Sequence, residues 1–310
     1  MATIAQIGNL VNCGKGADLG TGDVGCEAAL KATTSIWFTK RGFVFDKTQD
    51  FSQEYIAQLQ AERKLIILNG IKEFTTNPEE NVTETDPDGT ISVTRKGLYS
   101  FNAMFKKGFN YQSALASLDS FGLYDTTFVD TDGNVLGTTS SNGSLKGMTT
   151  GMIQADPINF ATFSTRMSQG LTFQFLDRDE VDTDYFFISQ KELDWKPQKQ
   201  EGVNEVVLEF TAVPANLGTT ITVKAKLRQG GGVFTGIDYQ DFLLKVDGVT
   251  ANPTAGDDSA TAGTYVLTVG ALSTNEVLAI SLYDNTNSRE GITVDGDIYK
   301  SNTATTVVVA

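Results

Sequence analysis

Three groups of residues in this chain have the types and spacing of chemical sites. Gly20, Gly22 and Gly25 form a G-x-G-x-x-G ahead of helix-compatible residues 26–31. Such a loop cradles a pyrophosphate when a buried strand leads into it and a βαβ unit surrounds it. Residues 14–19 (GKGADL) make no buried strand, and no alternation of strand and helix follows. Asp46 matches the expected acidic position by spacing alone. The expectation is a flexible, glycine-rich arm that binds no cofactor.

Asp130, Asp132 and Asn134 resemble the opening of a calcium loop. That loop needs Gly at its sixth position and Glu at its twelfth. Here those positions hold Val135 and Ser141, and strands flank the segment. A tight hairpin turn at Asp132–Gly133 is expected instead. The third group is Asp177, Asp179, Glu180, Asp182 and Asp184. Its carboxylates have the chemistry to hold a divalent cation or to flank a glycosidic bond. Nothing in the sequence marks one of them as buried or raised in pKa. A solvated loop, or a patch that pairs with basic residues of a neighbour, is the reading taken.

The absences narrow the field further. The 310 residues contain no histidine, the commonest general base and metal ligand. No Gly-x-Ser-x-Gly elbow and no Gly-Lys-Ser/Thr phosphate loop occurs. No catalytic, cofactor-binding or metal residue is assigned, and no enzyme activity is expected. Cys13 and Cys26 leave a disulfide open, with free thiols favoured in a chain made in the cytosol. The formal net charge is −14 without a dense basic stripe, so direct nucleic-acid binding is not expected. The first residues lack a basic n-region and a long apolar run, so neither a signal peptide nor a membrane span is expected.

The elements that would carry these residues are mainly strands. Residues 1–30 read as a Gly-rich arm, with 2–11 suited to pairing with a neighbouring subunit. Residues 31–198 read as a strand-dominated α+β domain with two short helices, at 51–64 and 111–120. Its strand regions lie at 35–46, 65–74, 90–105, 127–139, 171–176 and 185–188, and 75–89 reads as a loop or hairpin tip. Trp37, Phe38, Phe43 and Phe45, and then Phe101, Phe105, Phe109 and Tyr111, put aromatics on both faces of their strands, which implies cover on both sides. A polar linker with Pro197 and Gly202 follows. In 203–310, apolar and polar residues alternate over 205–213, 219–227, 241–246, 263–269, 276–283 and 305–309, with shorter candidates at 233–237 and 297–300. Six to eight short strands in roughly 100 residues is the pattern of an immunoglobulin-like β-sandwich.

The runs Asp132-Gly133-Asn134-Val135-Leu136-Gly137, Ser144-Leu145-Lys146-Gly147-Met148-Thr149-Thr150-Gly151-Met152, Leu171-Thr172-Phe173-Gln174-Phe175 and Glu192-Leu193-Asp194-Trp195 resemble virion structural proteins of tailed phages that infect Bacteroidetes. The similarity is to crAss-like phages in particular and covers about residues 90–200. It implies an assembly role in the virion, in a protein made in the bacterial host cytoplasm. Auxiliary capsid protein is the first expectation. A tail-tube or other tail subunit is the second, and a carbohydrate-binding or carbohydrate-active surface protein the third. The partners implied are the major capsid protein or tail subunits, with further copies of the chain in the particle.

Overall fold

The computed structural model describes Thr3, Ile4 and residues 30–258, 261–295 and 297–310. The remainder of the 1–30 arm lies outside the described residues, with Cys13, Cys26 and the glycine motif. The architecture is mainly β, and the chain divides into two compact units. One comprises Met1–Ile56 and Lys64–Gln200; the other comprises Ala57–Arg63 and Glu201–Ala310.

The first unit is built on an 11-stranded sheet system. Its main path runs Leu145–Lys146, Val135–Thr139, Tyr124–Asp130, Met148–Ala155, Gln169–Phe175, Tyr99–Phe105, Glu73–Pro78. The strand Thr33–Lys40 pairs with both Tyr124–Asp130 and Leu65–Asn69. Alternation along it sends Ile36 and Phe38 into one core and Trp37 to the opposite face. The first core is aromatic: Phe101, Phe128, Phe173 and Phe175 lie with ring centroids 4.8–6.2 Å apart. On the other face Trp37 meets Phe51 and Trp195. Both faces of this strand are therefore covered, as its aromatics imply.

Three expectations about this unit change. Among the described residues from 30 on, the α-helices are Gln53–Ala61, Phe109–Ala116 and a third, single-turn segment, Asp179–Asp182, within the acidic cluster. Acidic side chains suit the start of a helix, and Arg178 reaches Asp182 four residues on at 2.7 Å. Two helices were expected because a four-residue turn leaves no apolar periodicity to read. Second, for the polar stretch 75–89 the loop reading gives way to its alternative, the hairpin tip. It completes Glu73–Pro78, paired with Tyr99–Phe105, and forms Val82–Thr85, paired with Ile91–Arg95. Cross-strand pairing supplies the hydrogen bonds that its composition concealed. Third, the described part of the arm is seated on its own chain. Thr3 bridges Asp50, and Ile4 is buried with its N–H donating to Gln49 O at 3.0 Å.

The second unit has two sheets. One is ordered Ala255–Asp258, Thr264–Thr268, Thr220–Leu227, Asn204–Phe210, Asp297–Ser301, Ile292–Val294. The other runs Val249–Thr250, Phe242–Val246, Val277–Asp284, Arg289–Glu290, with Ala304–Val307 also pairing with Val277–Asp284. Val206, Leu208, Ile221 and Val223 of the first sheet share a core with Phe242, Leu244, Leu278 and Ile280 of the second. Residues 233–237 form no strand and contribute a single bridge, Val233 to Lys226. Phe234 and Ile237 are nonetheless buried in this core.

Candidate functional site

The hairpin at Asp132–Gly133 forms as expected, between Tyr124–Asp130 and Val135–Thr139. Asp130 organises it. Its Oδ1 accepts the backbone N–H groups of Asp132, Gly133 and Asn134 at 2.8–2.9 Å. Its Oδ2 accepts from Lys31 N at 3.0 Å and Asn134 Nδ2 at 2.8 Å. Asp130 is fully buried, and five donors saturate its carboxylate. Asp132 turns outward to Lys31 Nζ at 2.6 Å. Gly133 takes φ +96°, and a Cβ there would lie 2.3 Å from Gln198 Oε1, so the turn requires glycine. The three residues that resemble a calcium loop are thus a turn device.

The acidic cluster separates into different structural jobs. Glu180 is nearly buried. Its Oε1 accepts from Lys146 Nζ at 2.9 Å and Thr149 Oγ1 at 2.8 Å, and its Oε2 from the Thr149 N–H. Asp182 accepts from Arg178 Nε at 2.7 Å and from the Tyr99 hydroxyl at 2.8 Å. Burial acts to raise its pKa, but the Arg178 and Tyr99 hydrogen bonds outweigh this and hold the carboxyl below the usual range. Asp179 meets Lys96 at 2.5 Å, and Asp177 Oδ1 accepts the Asp179 N–H at 2.9 Å. The basic partners belong to this chain rather than to a neighbour. A glycosidase needs one carboxyl raised in pKa to act as the acid. Asp182 is shifted the opposite way, and Asp179 and Glu180 are each committed to a lysine.

This cluster positions the neighbouring 79–98 segment. Lys96 and Tyr99 flank the root of the Val82–Thr85/Ile91–Arg95 hairpin, and both bond to Asp179–Asp182 carboxylates. Arg178 Nη1 donates to Asn81 Oδ1 at 3.1 Å, and Gln174 Nε2 to Glu79 Oε1 at 2.9 Å. At the same root, Gly97 runs so close to Glu79 that an added Cβ would lie 1.9 Å from its carbonyl oxygen. Beyond the root, every residue of the two strands is exposed, including Val82, Ile91 and Val93. Sequence inspection offered a hairpin tip within 75–89 and a strand over 90–105, but not the exposure of both faces: in the alternation Ile91-Ser92-Val93-Thr94 an exposed strand and a half-buried one look alike.

Among the described residues, Asp125 and Glu192 each keep one buried carboxyl oxygen without a hydrogen-bond partner, and burial raises both pKa values. Asp125 Oδ2 accepts the Gly42 N–H at 2.7 Å, while Oδ1 has no hydrogen-bond partner. Burial pushes the Asp125 carboxyl up, against the Gly42 hydrogen bond and the Lys146 charge, and nearby Glu180 adds to the rise. Asp125 sits on a strand paired on both sides, opposite Thr39 and Thr149, and reads as a structural group.

Two shallow clefts lie in the second unit. One, of about 490 Å³, is lined by Gln60, Arg63, Glu205, Arg228, Lys300 and Asn302 among others. Glu205 is already paired there with Arg228 at 2.6 Å. The other, of about 550 Å³, lies on the Phe242–Val246/Val277–Asp284 sheet and is lined by Lys245, Asn252, Ser281, Tyr283, Asn285 and Glu290 among others. Among the described residues no group of three or more His, Cys, Asp or Glu side chains is arranged to hold a metal ion. No helix among them is long and apolar enough to cross a membrane. Comparison with protein-family models and with curated proteins found no match.

Proposed function

We propose that this chain is a non-enzymatic structural subunit of a tailed-bacteriophage virion, working through contacts with other virion proteins. One observation carries the non-catalytic part. The carboxylates with the spacing for chemistry, Asp130, Asp179, Glu180 and Asp182, are each committed to donors of the chain's own fold. The second unit, with two sheets on one core, fits an immunoglobulin-like module appended for contact or display.

Two placements in the particle follow from the sequence resemblance, auxiliary capsid protein and tail subunit. A tail subunit meets copies of itself end to end. The exposed, acidic 82–95 hairpin at one end of the first unit's sheet, facing away from lysines at the other, favours that placement. An auxiliary capsid protein is the second reading, favoured by the separate core of the second unit, which suits a surface module. The polar, tyrosine-bearing cleft around Tyr283 and Asn285 is the observation that keeps glycan binding as a third.

Co-sedimentation of the purified chain with separated empty capsids and tails tests the proposal. Saturable binding to either supports it. Binding to neither, together with hydrolysis of a glycan panel that is lost in Glu180→Gln or Asp182→Asn, would overturn it.

A further inference from the structure

We propose that copies of this chain bind head to tail, the 82–95 hairpin of one docking on the lysine- and phenylalanine-bearing end of the same sheet in the next. The ladder between Glu73–Pro78 and Tyr99–Phe105 sets the geometry. It pairs Glu73 with Met104 at one end and Pro78 with Tyr99 at the other, roughly 17 Å apart by strand rise.

Past Pro78 and Tyr99 stands the hairpin. Thr83 pairs with Val93 and Thr85 with Ile91, so Ile91 and Val93 share one face, and both are exposed, Ile91 at 68%. Among the described residues no third strand pairs with either arm. A two-stranded ribbon is marginal by itself, and its free edges are templates for another chain. Glu80, Glu84, Asp86 and Asp88 make it acidic, while Arg95 and Lys96 are engaged by Glu79 and Asp179.

The opposite end has the complementary chemistry. Lys72 immediately precedes the ladder, and Lys106 and Lys107 immediately follow it, with Lys107 lying over the Tyr111 ring. Ala155 pairs with Leu171, and Gln169 with Phe105, so the 156–168 loop is at this same end. It carries Phe160, Phe163 and Arg166. Phe160 is also 68% exposed, its ring 6.2 Å from exposed Phe109, and Phe163 is fully open. The described carboxylates here are Glu73, Asp119 and Asp156; Asp156 accepts from Asn102 and Thr172, and Asp119 from the Ala155 N–H, all neutral donors that leave the charge in place, so the four cations keep only a small positive excess. A strongly acidic surface and a lysine-bearing one, each with exposed apolar side chains, thus lie at the two ends of one ladder. A second copy satisfies both, and a chain of net charge −14 needs such a local match to approach itself. A contact of this kind is heterologous, so it propagates into a ring or a filament.

This contact deepens the tail-subunit reading and rests on it, but it is measured in the purified chain without particles. Failed self-association leaves particle binding standing, and failed particle binding leaves the contact standing. The experiment is sedimentation velocity of the full chain across concentration at low and high salt. Species should grow with concentration and shrink with salt. The double variant I91T/V93T and the double variant K72E/K106E should each weaken growth at least about tenfold, the scale of losing one or two buried side chains. All four residues are exposed, so the melting transitions should stay in place. Each variant keeps one working surface, so their mixture should form heterodimers and stop there. A chain that stays monomeric at low salt would overturn the proposal. So would growth that neither pair of substitutions weakens, or a mixture that remains monomeric or grows past two chains.

Discussion

Trp195 stacks on Trp37 from 158 residues away, with ring centroids 6.3 Å apart and planes 18° from parallel, while its Nε1 donates to Phe51 O at 2.7 Å. Phe51 completes the group, 6.2 Å from Trp37 and 6.0 Å from Trp195. The segment between the turns Gln190–Glu192 and Pro197–Lys199 is thereby fastened to the Trp37 face of the strand Thr33–Lys40. The Trp37 Nε1 is buried without a hydrogen-bond partner, so Trp37 itself is held by ring packing while Trp195 adds a polar bond.

Trp195→Ala should therefore destabilise the first unit by about 3–5 kcal/mol, the range for emptying a large buried aromatic site. The chain's two tryptophans both lie in this unit. Denaturation followed by tryptophan fluorescence should shift to lower denaturant in single-tryptophan Trp195→Ala. The part of the far-ultraviolet dichroism signal that belongs to the second unit should melt where it does in the wild type.

Asp130→Ala strips the acceptor from five donors at one turn, three of them consecutive backbone N–H groups. Its cost should be about 2–4 kcal/mol, since each buried donor left unpaired carries a penalty of order 1 kcal/mol or more. Asn134→Ala removes one of those donors and should cost about 1 kcal/mol. Chemical denaturation of the two variants side by side checks the ratio. Equal effects would mean that the carboxylate does not organise the turn.

Neighbouring acids in the same cluster should behave differently. Lys96 and Asp179 are half exposed, with side-chain exposures of 59% and 50%, so Asp179→Ala should change stability by at most about 1 kcal/mol. Lys146 and Glu180, at 19% and 13%, are largely withdrawn from water. Lys146→Met leaves the Glu180 charge with only Thr149 to solvate it and should cost about 3 kcal/mol or more. The double variant Lys146→Met, Glu180→Gln should recover part of that loss. A double-mutant cycle with no coupling would refute this assignment.

Asp125 should shape the pH dependence. Its folded pKa lies above the unfolded one, because burial disfavours the charged form. Between those two values the folded state binds more protons. Stability from this group is accordingly greatest below the unfolded pKa, falls as pH rises through the folded pKa, and stays reduced at neutral pH. Asp125→Asn should be more stable than the wild type at pH 7 and should flatten the slope of stability above the ordinary aspartate range. Urea denaturation at a series of pH values reads this. A variant less stable than the wild type at pH 7 would show that the ionised carboxylate is needed.

The mainly β architecture was legible in the sequence wherever apolar and polar residues alternate over a covered face, as in Asn204–Phe210, Thr220–Leu227 and Val277–Asp284. The Asp132–Gly133 turn was legible too, because a positive φ and a side-chain acceptor are local demands. Two-sided aromatics likewise announced the doubly covered strand around Trp37. Tertiary structure alone decided the rest, since those outcomes depend on residues far apart in the chain. The acidic run Asp177–Asp184 looks the same in sequence whether it faces solvent, a cation or a partner. Folding brings Lys96 and Tyr99 to Asp179 and Asp182, each pair 83 residues apart, and turns the run into an anchor for the hairpin root. Nor does local sequence tell which strands stay uncovered. Ile91 and Val93 alternate like core residues, and only the absence of any facing layer among the described residues leaves them exposed, at the acidic end of a ladder whose other end carries Lys72, Lys106 and Lys107.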